Sequence, residues 1–454
     1  MKLTTIITST LFIATALSQA VIAQTVTADF GHRMQTIAAN GINMEGYHVG
    51  QWEELREDFA AMLRQLPCDM ARIGAPMIEW EPSNDNGNAD SICWERFGTD
   101  HIFVTRSVNR IRRMHDEFGV DVWLSIWNLP DWLLENPNPA GALHAARRIN
   151  DIDEAAESIC ALLLYIKRQT GVEVKWVSFN ESLQQAPQDG GWGGYNTLLT
   201  AEQNIRLIER SAELFRRHGL HTKWLIGTLS IKPSELRQVE QILARKRVRR
   251  DVAAVDFHAY DIYDMADSTI RQWGDYFSRS RIPTVCGELD NYKSDYRGGD
   301  WKEHGMKTAV LYNKVYNGTR SIGSFPWFPA VPEAASTYRY VDLHFFSHIP
   351  AGYAVVASHS SDPDIYVVAA RRAHRRVMIL QNNSPETKNV TIDGFPHRSQ
   401  LEVYESRTGN YGVRNDNVLR RGNGVLTLTM QPYSLYSIGT GLQPLKALHT
   451  DEGM

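Results

Sequence analysis

Short apolar runs alternate with amphipathic stretches between residues 40 and 331. In the amphipathic stretches apolar residues recur at three- and four-residue spacing, which predicts helices. Apolar runs that alternate with helices are typical of parallel strands. The predicted strands are 35–43, 69–75, 121–127, 173–179, 222–228, 253–260, 282–288 and 321–327. The predicted helices are 52–66, 105–118, 153–168, 201–218, 234–245, 269–278 and 303–316.

Eight strands with intervening helices favour an α/β fold of the (β/α)8 TIM-barrel type. An open, doubly wound sheet is the alternative. No glycine fingerprint follows the first predicted strand, so a nucleotide site in such a sheet would lack its phosphate cradle. We therefore expect residues 35–337 to form a barrel.

The pattern changes after residue 338, where short apolar runs are separated by Pro, Gly, Asn and Asp. Such repeated short strands predict a C-terminal antiparallel side β-sandwich, which we place at residues 338–445. Residues 24–30 alternate in the same way. We expect the N-terminal segment 24–34 to join this sheet and to connect the two domains.

Residues 1–23 have the order of a secretory signal peptide. Lys2 precedes an apolar run, and Val21-Ile22-Ala23 provides small and apolar residues before Gln24. No later run approaches the ~18 consecutive apolar residues of a membrane span. We expect a secreted or periplasmic protein with no membrane partner.

The amino-acid composition limits the kinds of molecule that we expect the protein to bind. Hydrophobic residues make up 43% and charged residues 22% of the 454 residues, as in globular proteins. The net charge of −4 gives no reason to expect nucleic acid as a partner. Twelve Trp and 18 Tyr supply flat rings that suit a neutral polar ligand, although cores also use them. We expect a monomer.

The four cysteines are Cys68, Cys93, Cys160 and Cys286, and they form no CxxC pair or metal-ligand spacing. A Cys68–Cys93 disulfide and two buried thiols are both compatible with the sequence. No zinc motif, nucleophile elbow or calcium loop is present. We expect no metal and no cofactor.

Two strand ends carry glutamates that suit hydrolysis of a glycosidic bond. The predicted fourth strand is followed by Asn180-Glu181, and the predicted seventh ends in Glu288. Active sites of (β/α)8 barrels lie at the C-terminal ends of the strands. The reaction needs one carboxyl group to protonate the leaving oxygen and another to attack the anomeric carbon or activate water. Either glutamate alone also fits a structural role, whereas both together favour catalysis.

In these segments the chain resembles the clan A glycoside hydrolases, and glycoside hydrolase family 30 in particular. Asn180-Glu181 is similar to the clan's Asn-Glu pair, which implies that Glu181 is the general acid/base and that Asn180 donates to the sugar 2-hydroxyl. Glu288 resembles the family's nucleophile. Residues 71–74 are similar to its second-strand arginine motif, which implies that Arg72 keeps the nucleophile ionised.

Three further segments carry the resemblance, which covers most of the mature chain in fragments. Residues 125–132, which include Trp127, resemble the family's third-strand segment. Residues 325–327 resemble the eighth-strand tryptophan motif, which implies that the −1 sugar rests on Trp327. Residues 346–352 resemble the run that leads into the side β-sandwich and favour family 30 over other clan members.

Other ring side chains near strand ends are candidates for substrate contact. His258 and Tyr260 are two residues apart on the predicted sixth strand, so their side chains point the same way. If they face the mouth, Tyr260 donates to Glu288; both also fit the barrel wall. Three tryptophans are candidates for stacking on sugars, although strand-end tryptophans often belong to the core: Trp127, Trp327 and, in a glycine-rich loop, Trp192.

The sequence thus predicts a secreted retaining glycoside hydrolase that cleaves β-glycosidic bonds of a polysaccharide of the xylan or β-glucan class. We expect burial and the charge of Glu288 to favour the protonated form of Glu181. The two carboxyl groups should lie about 5–5.5 Å apart, against about 6.5–9.5 Å in an inverting enzyme. The alternatives are a non-catalytic carbohydrate-binding protein on the same scaffold and an unrelated barrel hydrolase or lyase.

Overall fold

The computed structural model describes residues 24–44, 60, 63–135, 148–183, 197–290, 301–327, 339–422 and 425–446. Three features of the sequence analysis lie outside these residues: the signal peptide at 1–23, most of the predicted helix 52–66, and Trp192.

The barrel consists of parallel strands that neighbour one another in chain order. After β1 (Gln24–Thr36), which belongs to the side sheet, the barrel strands are β2 (Gly41–Met44), β3 (Met70–Gly74), β4 (Asp121–Ile126), β5 (Trp176–Phe179), β6 (Lys223–Gly227), β7 (Val252–His258), β8 (Thr284–Leu289) and β9 (Ser321–Pro326). A parallel bridge between Asn43 and Trp327 brings the first and last barrel strands together. The expected (β/α)8 fold is confirmed.

Helices connect the barrel strands. They are α1 (Met77–Trp80), α2 (Ile102–Phe118), α3 (Ile152–Thr170), α4 (Ala201–Arg217), α5 (Pro233–Leu243), α6 (Lys246–Asp251), α7 (Asp267–Ser280) and α8 (Met306–Asn313), and α9 (Arg339–His348) leads into the side sheet. The Asp151 side chain caps α3 by accepting from two backbone amides, and Thr200 and Gln203 form a capping box on α4. Among the described helices, none has the length and apolar character needed to cross a membrane.

One predicted strand is divided between the two sheets. The sequence pattern predicts a single strand at 35–43, but β1 ends at Thr36 and the first barrel strand begins at Gly41. The backbone amide of Ile37 still donates to Tyr353 of the side domain, whereas that of Ala38 donates to Ile322 of the last barrel strand. The chain therefore changes sheets at this point, which its continuous apolar character does not reveal.

The barrel interior is filled by large side chains. Met70, Trp123, Trp176, Leu225 and Phe325 form one buried cluster with smaller residues of the other strands. Trp123 packs edge-on against both Trp176 and Phe325, with ring centroids 6.1 and 5.1 Å apart. This apolar layer fills the barrel below its C-terminal mouth. The polar residues at the mouth pack on top of it.

The side sheet contains ten described strands, namely β1 and nine C-terminal strands. The C-terminal strands are β10 (Ala354–Ser360), β11 (Ile365–Arg372), β12 (Arg375–Asn382), β13 (Lys388–Asp393), β14 (Glu402–Arg407), β15 (Asn410–Arg414), β16 (Leu419–Gly422), β17 (Val425–Met430) and β18 (Ser434–Gly439). Their order in the sheet is β15-β14-β18-β12-β11-β10-β1-β13-β17-β16. Apolar side chains from both halves of the sheet share one buried cluster, so the sheet folds over on itself as a sandwich.

The N-terminal strand lies in the middle of this sheet. It pairs antiparallel with β10, and the expected pairing of residues 24–30 with the C-terminal sheet is present. Its other neighbour is β13, to which it runs parallel, with Val26 opposite Ile392. The sheet is therefore mixed rather than purely antiparallel. The parallel pair arises because a strand from the other end of the chain is inserted between two C-terminal ones.

Side-chain hydrogen bonds join the barrel helices to the side sheet. Asn313 and Asn317 both donate to the carbonyl oxygen of Val367, at 2.9 and 2.7 Å. Gln381 of the sheet donates to the carbonyl oxygen of Met306 at 2.7 Å. The barrel and the side sheet also share one hydrophobic cluster, so the sheet packs tightly against the barrel as well as being hydrogen-bonded to it.

The cysteines are thiols. Cys68 and Cys93, for which a disulfide was one of two open interpretations, are unbridged and half-buried. Cys160 and Cys286 are also free and are fully buried, as expected of core residues. Cys286 lies within β8, where burial raises the pKa of its thiol well above the usual value.

A buried histidine between the barrel and the side sheet makes stability depend on pH. The His344 ring nitrogens lie 2.8 Å from the hydroxyl oxygens of Ser437 and Ser406. Burial lowers the pKa of His344 well below its usual value, and His348 acts in the same direction. The unfolded chain therefore takes up a proton at this residue below about pH 6.5, and the folded chain does not.

We predict that wild-type protein loses stability relative to His344→Gln as the pH falls from about 6.5 to 4.5, by up to about 1.4 kcal/mol per pH unit. Urea unfolding of both proteins at several pH values measures this difference, and the other titrating groups cancel in the comparison. A difference that stays constant across the range would contradict the assignment of a neutral His344.

Candidate active site

Two buried glutamates stand at the C-terminal mouth of the barrel. Glu181 follows β5 and Glu288 lies near the end of β8, and their exposed fractions are 8% and 3%. Glu181 has a φ of 47°, a left-handed backbone conformation that costs a non-glycine residue roughly 1–2 kcal/mol. Gly227 allows the close approach here, because a Cβ at this position would lie 1.9 Å from the carbonyl oxygen of Phe179. Strain of this kind is concentrated at functional sites.

The two carboxyl groups are brought together around His258. Its Nδ1 atom lies 2.8 Å from Oε1 of Glu181 and 3.4 Å from Oε2 of Glu288. One atom from each of the three side chains lies within 4.8 Å of the others. This spacing of the nearest oxygens is compatible with the expected separation of about 5–5.5 Å between the two carboxyl groups.

Arg72 neutralises Glu288 from below. Its Nη1 atom donates to Oε1 of Glu288 at 2.7 Å, and Nη2 donates to Oδ1 of Asn180 at 2.5 Å. The guanidinium is fully buried and lies 5.0 Å above the ring of Trp123. Arginine carries donors only, so the bond to Asn180 also fixes which end of that amide is oxygen.

Tyr260 holds the second oxygen of Glu288. Its hydroxyl group donates to Oε2 at 2.5 Å, so Glu288 accepts one hydrogen bond on each carboxylate oxygen from these two residues. Donors directed at a carboxylate favour its ionised form. The sequence expectation that Tyr260 faces the mouth and donates to Glu288 agrees with this geometry.

His258 is neutral in this environment. Burial lowers its pKa to about 4, although the negative charge of Glu288 acts in the opposite direction. A neutral imidazole carries a proton on one ring nitrogen only. Through Nδ1 it therefore either accepts a hydrogen bond from a protonated Glu181 or donates one to an ionised Glu181, without adding a charge.

The tryptophans are less closely tied to the glutamates. Trp327 directly follows β9, is half-buried, and lies between the ends of β2 and β8, since its amide donates to Leu289 and it bridges Asn43. Trp127 directly follows β4, is half-buried, and accepts from the amide of Thr197. Both therefore lie at the mouth of the barrel, while Trp192 lies outside the described residues.

Three residues of this site were not found from the sequence. Asn43 stands opposite Arg72 in the strand register and donates to the carbonyl oxygen of Gly287 at 3.2 Å. Trp123 forms the floor beneath Arg72. Asp256 is fully buried, and burial raises the pKa of its carboxyl group well above the usual value. Asp256 precedes His258 by two residues, and this same-face spacing is the signal that would have found it.

Glu181, His258 and Glu288 have the residue types and the spacing of a metal site. The bonding pattern argues against that use. Arg72 already places a positive charge 2.7 Å from Glu288, and Tyr260 occupies its other oxygen. A cation would have to displace these donors and would be repelled by the guanidinium, so the cluster is better suited to proton transfer and nucleophilic attack.

Comparisons with known proteins find solved structures that have the same architecture. No family model and no curated protein matches the chain. Among solved structures, a glycoside hydrolase family 30 endoxylanase from Clostridium papyrosolvens C71 matches with a TM-score of 0.67 and 16% identity, over 92% of this chain and 99% of its own. A family 30 subfamily 8 xylanase, Xyn30A, from Clostridium acetobutylicum has a TM-score of 0.69 and 16% identity, over 92% and 100%.

The endo-β1,6-glucanase BT3312 matches with a TM-score of 0.64 and 13% identity, over 93% of this chain and 94% of its own. At these identities the likeness concerns the fold. This chain has the (β/α)8 barrel and side β-domain that these glycoside hydrolase structures share.

Proposed function

We propose that this protein is a retaining glycoside hydrolase that cleaves β-glycosidic bonds of a polysaccharide by double displacement. One observation carries the proposal. One oxygen of Glu181 and one oxygen of Glu288 lie within 4.8 Å of each other at the mouth of the barrel, and Arg72 forms an ion pair with Glu288 at 2.7 Å. Two carboxyl groups this close, held in different environments, suit an acid/base and a nucleophile rather than an inverting pair.

In the first step an oxygen of Glu288 forms a bond to the anomeric carbon. The glycosidic bond breaks, its electron pair stays on the leaving oxygen, and that oxygen takes the proton of Glu181. In the second step Glu181, now a carboxylate, takes a proton from water as the water oxygen attacks the anomeric carbon. The bond to Glu288 breaks and returns its electron pair to the carboxylate.

The neighbouring residues separate these roles. Arg72 and Tyr260 each donate to one carboxylate oxygen of Glu288 and thereby orient it as the nucleophile. His258 positions Glu181 through a 2.8 Å contact and, being neutral, does not bind its proton as a competing base above about pH 4. We propose that Asn180, whose Oδ1 atom accepts from Arg72, donates its amide hydrogen to the sugar 2-hydroxyl.

We infer the substrate class from the residues around Glu181 and Glu288 and from the solved structures with this fold. The half-buried rings of Trp127 and Trp327 at the mouth suit the apolar faces of sugar rings. The solved structures with this fold include family 30 xylanases and an endo-β1,6-glucanase, so we propose a xylan or β-glucan. A non-catalytic carbohydrate-binding protein is not favoured, because such a protein has no need of two buried, paired glutamates.

We also propose that residues 1–23 direct secretion and that the mature protein acts as a monomer outside the cytoplasm or in the periplasm. The proposal rests on the basic residue, apolar run and small-residue end of this segment. It agrees with a substrate that is a large extracellular polymer.

Purified protein should release oligosaccharides from at least one β-linked polysaccharide in a panel of xylans and β-glucans, with product sizes measured by chromatography. The matched control is Glu240→Ala, which removes an exposed glutamate on α5 and should retain full activity. Absence of products from every β-linked substrate would contradict the proposed function.

Arg72→Met should lower kcat by roughly 100-fold or more, because removal of one charged donor from a buried site costs about that much. Arg72→Lys keeps the positive charge but loses the second hydrogen bond, which goes to Asn180. Its kcat should lie between those of the wild-type protein and Arg72→Met. Thermal unfolding of each variant separates a chemical effect from a folding effect. Full activity in a folded Arg72→Met protein would remove Arg72 from the site.

The two glutamates should differ in their response to azide. Glu288→Ala should lose at least about 10⁴-fold in kcat on every substrate, and azide should attack from the vacated face to give the inverted glycosyl azide. Glu181→Ala should still form the intermediate from an aryl glycoside with an acidic phenol and then stall, and azide should restore turnover with retained configuration. Product stereochemistry by NMR checks both. An inverted azide from Glu181→Ala would show that the roles are exchanged.

A further inference from the structure

We propose that the protein binds one calcium ion between the loop that follows α1 and the helix α3, at a cluster of three carboxylates formed by Glu81, Asp85 and Glu157. This acidic cluster is distinct from the active-site carboxylates and does not depend on the proposed hydrolase function. Its ligands come from two segments that the fold brings together.

The geometry of the acidic cluster is that of a shared ion. Glu81 directly follows α1, Asp85 lies four residues later in the loop, and Glu157 projects from α3. One oxygen from each carboxyl group lies within 4.8 Å of the others. Calcium binds oxygen at 2.3–2.6 Å, so two of its ligands are at most about 4.6–5.2 Å apart, whereas ligands of magnesium are at most about 4.2 Å apart.

Four of the six carboxylate oxygens of the acidic cluster are buried and have no hydrogen-bond partner in the part of the chain that the structure describes. Glu157 is 1% exposed, and both of its carboxylate oxygens lack a partner within that part. The same holds for Oε2 of Glu81 and Oδ1 of Asp85 among the described residues. Buried carboxylates without partners are costly, and an ion that they coordinate removes that cost.

Without an ion, burial and mutual repulsion disfavour the ionised forms of these carboxyl groups. Burial raises the pKa of Glu157 to about 9, and the charges of Asp85, Glu81 and Glu154 act in the same direction. Burial likewise raises the pKa of Glu81 to about 7. In the absence of a cation, the carboxyl groups of the acidic cluster would carry protons instead. This proton-only state is the alternative that the experiment distinguishes.

A bound ion would fasten the loop after the second barrel strand to the helix that follows the third. The loop already makes contacts there: Trp80 donates to the carbonyl oxygen of Ser158 at 3.0 Å, and Trp132 donates to that of Glu81 at 2.8 Å. Asp85 accepts from the amide of Cys93 at 2.6 Å through its other oxygen. Calcium would complete this junction with the oxygens that are still without partners.

The test is thermal unfolding of the full chain after removal of divalent ions with EDTA and dialysis. Calcium should raise Tm by about 3 °C at a concentration near one hundred times its Kd, and magnesium should have a smaller effect. Glu157→Gln, which keeps the shape and removes the charge, should abolish the calcium-dependent shift. The matched control is Glu235→Gln, another buried glutamate outside the acidic cluster, which should keep it. Glu181→Gln should also keep it, which excludes the active-site carboxylates as the source.

Terbium luminescence provides a readout that does not depend on the variants folding. Wild-type protein excited at its tryptophans should sensitise one bound terbium ion, since Trp80 and Trp132 contact this junction, and calcium should displace it. The proposal is overturned if calcium leaves the Tm of wild-type protein unchanged, if Glu157→Gln retains the full shift, or if calcium fails to displace terbium. Any of these results would favour the proton-only state.

Discussion

The ion pair between Arg72 and Glu288 is the interaction on which the rest of the site depends. A fully buried guanidinium lies 2.7 Å from a carboxylate that is 3% exposed. Neither charge is stable there alone, because loss of one partner from a buried pair costs about 3–5 kcal/mol. The barrel therefore has to place both charged groups next to each other at the same level. It also has to provide further hydrogen-bond partners for each of them.

The surrounding residues meet that requirement from several strands. Trp123 supports the guanidinium, Asn180 accepts its second donor, and Tyr260 donates to the far oxygen of Glu288. Glu181 is placed outside this ion pair, in a strained backbone conformation, against a neutral histidine. Two identical side chains thereby occupy different electrostatic environments, which is the condition for one to act as an acid and the other as a nucleophile.

Much of this arrangement is readable from the sequence, because periodicity locates the strands and strand ends locate the mouth. The eight barrel strands, the joining N-terminal strand and the positions of Glu181, Glu288 and Tyr260 were obtained in this way, whereas Arg72 was identified through the resemblance of residues 71–74 to a family 30 motif. A break such as that between Thr36 and Gly41 was not, because the apolar pattern continues while the backbone changes its hydrogen-bond partners. The parallel pairing of β1 with β13 was missed because local alternation carries no information on strand direction.

Local sequence patterns also could not identify residues whose roles depend on partners far away in the chain. Asn43 and Trp123 acquire their roles only when the barrel closes around Arg72. The same is true of the acidic cluster, whose members Glu81 and Glu157 come from a loop and a helix without any motif spacing. Local patterns thus identify side chains at strand ends, whereas sites assembled across elements require the fold.

The central claim is that Glu288 forms a covalent bond to the sugar. A 2-deoxy-2-fluoro glycoside with a dinitrophenyl leaving group, built on the sugar that the protein cleaves, slows the second step and traps the intermediate. Intact mass spectrometry should show the addition of one fluorosugar per chain, and peptide mapping should place it on Glu288. A protein that cleaves the natural substrate yet gives no adduct, or gives one on Glu181, would contradict the mechanism.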